Sequence, residues 1–214
     1  MLRPLFAVAI PATFLCGVAN ASVLWTVGPG AGHDFFSIDQ AVNDARVQDG
    51  HSIQVLGGGY LGFDSGNKAL RFEPGNSPGI VDVFGQMALR QNSSINFEIG
   101  GYNNGLGGGL PQFDQFIVTG NVDLIGDIEV TLIDGFVPVF GDSWALIQAG
   151  GLIDFRGVAM LPELSGGLSW NVQVVSGSSE FGPTGSSLVV SVVPTPGAVA
   201  LVTLAGVLAS RRRR

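Results

Sequence analysis

The sequence predicts an all-β domain of stacked strands, framed by a processing segment at each end. Three observations predict it. Apolar and polar residues alternate with period two through the central region, and a strand pattern recurs after 35 residues. The 214-residue chain also holds 33 glycines but only two tyrosines and one lysine. A chain this rich in turn residues is expected to be β rather than helical.

The N-terminus has the three-part layout of a secretory signal. Arg3 gives the positive start, and residues 5–18 form an uncharged apolar stretch too short for a comfortable transmembrane helix. Ala19-Asn20-Ala21 is the small-x-small pattern that signal peptidase reads, so cleavage is expected before Ser22. The lone cysteine, Cys16, lies inside this stretch after Leu15, where a lipoprotein signal needs a small residue. The mature chain is therefore expected to have neither disulfides nor thiol chemistry.

One short helix is expected in the body. Ser37 and Gln40 form a capping-box pattern, Asp39 suits the helix dipole, and Ile38, Ala41, Val42 and Ala45 form one apolar face, with Gly50 as the stop. The period then changes to two. Ile53-Gln54-Val55, Ile95-Asn96-Phe97-Glu98-Ile99, Ile128-Glu129-Val130-Thr131-Leu132, Trp170-Asn171-Val172-Gln173-Val174 and Leu188-Val189-Val190-Ser191-Val192 read as strands with one buried face. Turns rich in Gly, Asn and Pro separate them, notably residues 74–79 and 102–111. Within this pattern, Val81 to Leu89 followed by Ile95 to Ile99 parallels Phe116 to Leu124 followed by Ile128 to Leu132. Gly85 matches Gly120 and Leu89 matches Leu124. Such a repeat suggests stacked β units, each layer covering the previous one, with a chance likeness inside a generic β-sandwich as the alternative.

Specific motifs carry a resemblance. Trp25-Thr26-Val27-Gly28-Pro29-Gly30, Phe36-Ser37-Ile38-Asp39-Gln40-Ala41-Val42, Asp49-Gly50-His51-Ser52-Ile53-Gln54-Val55 and Gly58-Gly59-Tyr60 resemble the opening of pectin-lyase-like proteins. Pro74-Gly75-Asn76-Ser77-Pro78-Gly79, Glu98-Ile99-Gly100-Gly101, Asp114-Gln115-Phe116-Ile117-Val118-Thr119-Gly120 and Gly126-Asp127-Ile128-Glu129-Val130-Thr131-Leu132 resemble autotransporter-passenger-like segments of bacterial surface proteins. This resemblance implies a right-handed parallel β-helix, or β-solenoid, with a short N-terminal capping helix over residues 22–192. Val193-Pro194-Thr195-Pro196, the apolar residues 197–209 and the basic stop Arg211, Arg212, Arg213 and Arg214 resemble a PEP-CTERM sorting tail, with Thr195 where the motif has Glu. That implies an exosortase-type processing enzyme as a partner. As an apolar helix the run spans about 20 Å, short of the ~30 Å hydrocarbon core. Residues 193–214 thus read as a handle for retention and cleavage, a transient or permanent inner-membrane anchor.

Charge and composition narrow the chemistry. Without the end segments, five basic residues face seventeen acidic ones, a net charge of about −12, which excludes an electrostatic footprint for nucleic acid. The β-helix resemblance implies Arg or Lys bases beside clustered Asp for any polysaccharide-cleaving chemistry, which makes Lys68, Arg71, Arg90 and Arg156, with Asp64, Glu73 and Asp82, the candidates, but they form no catalytic motif. His33 and His51 flank the helix with no other soft ligand, against a zinc site. Asp123, Asp127 and Glu129 could gather around Ca²⁺ only if one β layer held all three. The glycines of residues 105–109 lack the context of a phosphate loop, and Asn92-Ser93-Ser94 is a short glycosylation-type pattern. The expectation is an exported, non-enzymatic surface or extracellular-matrix protein of structural or adhesion type, with no cofactor and no metal. Its partners would be signal peptidase, the exosortase-type enzyme and extracellular polysaccharide. A carbohydrate-binding or polysaccharide-cleaving protein is the alternative.

Overall fold

A computed structural model describes residues 22–75, 78–177 and 179–195. The chain enters through β1 (Leu24–Val27) and the helix α1 (Ile38–Asn43), then continues through β2 (Ser52–Val55), β3 (Gly58–Asp64), β4 (Arg71–Pro74), β5 (Ile80–Leu89) and β6 (Ser94–Ile99). There follow β7 (Gln115–Val118), β8 (Val122–Leu124), β9 (Asp127–Leu132), β10 (Ser143–Ala149), β11 (Ile153–Phe155) and β12 (Ala159–Met160). The last two strands are β13 (Leu168–Ser176) and β14 (Ser186–Pro194).

The capping residues shape α1. The Ser37 hydroxyl accepts from the Gln40 N–H at 3.1 Å, and the Gln40 side-chain oxygen accepts from the Phe36 N–H at 3.2 Å. The helix ends earlier than its apolar spacing predicts. Asp44 accepts from the N–H of Arg46 at 2.8 Å and holds its guanidinium, a local turn that competes with further helix, so Ala45 falls outside. Ile38, Ala41 and Val42 are buried, and α1 packs against β3 and β1.

Two sheets enclose the core. One is six-stranded and wholly parallel, in the order β1-β2-β4-β6-β9-β12. The other has eight strands in the order β11-β8-β5-β7-β10-β14-β13, with β3 beside β5. The repeated segments lie in adjacent parallel register. Val81 pairs with Phe116, Leu89 with Leu124, and Ile95 with Ile128. β5 bends at Gly85, whose φ of 122° suits glycine alone, so its first half pairs β7 and its second half β8. Between the sheets, Phe116 packs against Phe63 and Phe97 with ring centroids 6.5 and 6.3 Å apart, and Phe63 meets Phe72 at 5.5 Å.

The expected right-handed parallel β-helix is corrected by this topology. β14 runs antiparallel to β10, and β13 runs antiparallel to β14, so the eight-stranded sheet is mixed. The physical reason lies between these strands. Gly177 and Gly182 take positive φ, and Ser179 bridges Gly182, which turns the chain back as a hairpin instead of adding another parallel layer. A period of two marks a strand without giving its direction. The apolar C-terminal helix of that expectation falls on residues outside those described, as do Ala19, Ala21, Cys16, Pro196 and Arg211, Arg212, Arg213 and Arg214.

Candidate functional site

The parallel register brings four of the predicted charged residues into one ladder. Asp64 on β3 pairs with Ala88 on β5, which pairs with Asp123 on β8, which pairs with Asp154 on β11. Parallel strands lie about 4.8 Å apart, so these carboxylates stand in a column on one outward face. Two arginines fill the spaces. Arg90 donates to both Asp64 oxygens from Nε at 2.9 Å and to Asp123 from Nη1 at 3.1 Å. Arg156 reaches Asp123 at 2.6 Å and Asp154 at 3.1 Å. The guanidinium of Arg90 holds the Asp64 carboxyl below the usual carboxylate range. An open groove of about 300 Å³ runs beside the column, lined by Gln86, Arg90, Asn121, Asp123, Asp154 and Arg156.

The remaining candidates serve elsewhere. Arg71 bridges Glu73 on its own strand and Glu129 on β9, on the parallel sheet. Lys68 donates to the backbone carbonyls of Val42 at 2.6 Å and Asp44 at 2.8 Å, which fastens the end of α1. Asp82 stands apart on β5, where partial burial raises its carboxyl. Among the described residues, then, all five basic side chains are engaged, since Arg46 pairs with Asp44. The three residues considered for Ca²⁺ are not gathered. Asp123 joins the ladder, Asp127 accepts the Val158 N–H at 2.8 Å on the other sheet, and Glu129 holds Arg71. No group of three His, Cys, Asp or Glu side chains suited to a metal occurs among the described residues. The Nδ1 of His51 accepts from the Trp25 indole at 3.0 Å, a packing role, and the His33 ring lies over Gly28.

One functional-looking group stands in one of the resembling motifs without being singled out there as a candidate. Asp114 is buried, and its two oxygens accept the N–H groups of Gly79 and Glu98, each at 2.8 Å. Burial pushes its carboxyl up to about 7, against the pull of those two donors, and the Glu98 and Glu73 carboxylates push in the same direction as burial. Glu73, Glu98, Gln54 and Asn96 line the small cavity of about 50 Å³ that it faces. The repeat contained a signal for this contact, because Asp114 stands 35 residues after Gly79 and occupies its place in the second copy.

The end of the fold meets the tail-like motif directly. Val193 pairs with Ser169 and Pro194 with Leu168, and the Thr195 N–H donates to the Gly167 carbonyl at 2.8 Å. Ser22 is exposed. No helix among the described residues is long and apolar enough to cross a membrane. On the same body, Tyr102 of the 102–111 segment stacks on Trp144 at 6.0 Å and donates to Asp142 at 3.0 Å. In comparisons with protein-family models and with curated proteins, the chain matches none.

Proposed function

We propose that this is an exported, non-enzymatic protein that displays a stiff β body at the cell surface or in an extracellular matrix, with its C-terminal segment acting as a sorting handle. The observation that carries this reading is the junction at Thr195. The body is laced by backbone ladders up to Pro194, and the motif Val193-Pro194-Thr195-Pro196 starts inside the last strand. Val193, Pro194 and Thr195 are tied to residues 167–169 of the body, so a cut on the far side of Thr195 would leave the last strand in its ladder. The cations support the same reading, because each is committed to a carboxylate or a carbonyl of the body.

Localisation combined with intact-mass measurement tests this. The expected product starts at Ser22, lacks Arg211, Arg212, Arg213 and Arg214, and lies outside the inner membrane. An uncut, membrane-retained chain overturns the sorting reading. A second reading, polysaccharide contact, is favoured by the groove beside the aligned Asp64, Asp123 and Asp154 with Arg90 and Arg156. Glycan-array binding that is lost in an Arg156→Ala variant with an unchanged melting temperature would select it.

A further inference from the structure

The two sheets end in strands of very different character. β1 has four residues, β3 carries α1 against it, β11 has three residues including Asp154, and β12 has two. Short length, charge and a covering helix are the usual protections of a sheet edge. β13 has none of them. It ends the eight-stranded sheet, runs for nine residues, and contains no charged residue and no proline. In a body of about −12 charge, it is the one long edge among the described residues that a like-charged copy can approach without placing carboxylates face to face.

Its sequence also complements itself. In an antiparallel pairing about a two-fold axis at Val172, Val172 meets Val172 of the second copy, Trp170 meets Val174, and Asn171 meets Gln173. Trp170 and Val172 face the core side, so the centre of that row is apolar, and Val174, 39% exposed, gains an indole to cover it. Aromatic against β-branched is a favourable cross-strand pair. On the other face, two carboxamides meet on each side of the axis. Isologous pairing of this kind closes into a dimer.

We infer that β13 is a self-association edge, through which two copies of this chain join their eight-stranded sheets antiparallel about Val172. An edge of this length covers less surface than permanent dimers bury, so the contact forms at high local density, as in a surface layer.

Sedimentation equilibrium of the purified full-length chain, at concentrations up to about 1 mM, tests the inference with two double variants. Asn171→Glu with Gln173→Glu sets four like charges across the axis. Asn171→Lys with Gln173→Glu instead sets a lysine of each copy against a glutamate of the other. The native chain and the Lys/Glu variant are expected to dimerise, and the Glu/Glu variant to weaken association at least tenfold, with circular dichroism unchanged in all three. A native chain that stays monomeric overturns the inference. So does equal association of the two variants, which would place the contact elsewhere, including on the tail that both retain.

Discussion

A single buried carboxyl makes the stability of this protein depend on pH. Asp114 is held near a pKa of about 7 in the fold, while the unfolded chain releases its proton near pH 4. The native state therefore binds the proton more tightly. The stabilisation from this site is complete below about pH 4 and is lost as pH rises through 7, a change on the order of 4 kcal/mol. Thermal melts from pH 5 to 8.5 should show a falling melting temperature in the native chain and a flatter profile in Asp114→Asn. A second residue-scale expectation concerns the corner between β7 and β8. A Cβ on Gly120 would stand 2.5 Å from the Gly85 carbonyl oxygen, which belongs to the backbone and cannot swing aside. Gly120→Ala should cost about 1–3 kcal/mol, read as a lower urea midpoint.

At the scale of elements, strands were legible where each residue answered to its immediate neighbours. Ile95 to Ile99 and Ile128 to Leu132 alternate cleanly and pair residue for residue, and the matched glycines Gly85 and Gly120 meet through a 2.8 Å backbone hydrogen bond. Features decided by another layer were hidden. The direction of β13 and β14 depends on a turn whose glycines look like any others in a chain with 33 of them. The burial of Asp114 depends on Gly79, 35 residues earlier, and α1 stops at Asn43 because Asp44 takes Arg46 as its partner. The core elements also set a clear expectation. Phe116 joins Phe63 to Phe97, so Phe116→Ala should destabilise by about 3–5 kcal/mol in urea titration. Phe84→Ala, on the same sheet but more than half exposed, should stay within about 0.5 kcal/mol.

For the whole molecule, the charge ladder and the strand ladder describe one arrangement. The column of Asp64, Asp123 and Asp154 exists because parallel register stacks equivalent positions, and the arginines between them offset the repulsion that stacking creates. The order β10-β14-β13 has a further consequence. The last strand in sequence sits between two that precede it. If the chain crosses a membrane N-terminus first, β13 emerges with nothing to pair, and it waits until residues 186–194 slide in beside β10. A chain ending at Gly185 should therefore keep a folded front half while Trp170 moves into water, seen as a red-shifted tryptophan emission and protease cleavage after residue 160. Completion of the fold is timed by arrival of its final strand. The apolar run 197–209 follows that strand almost at once in the sequence, so under the proposed sorting reading closure of the body and arrival of the handle would coincide.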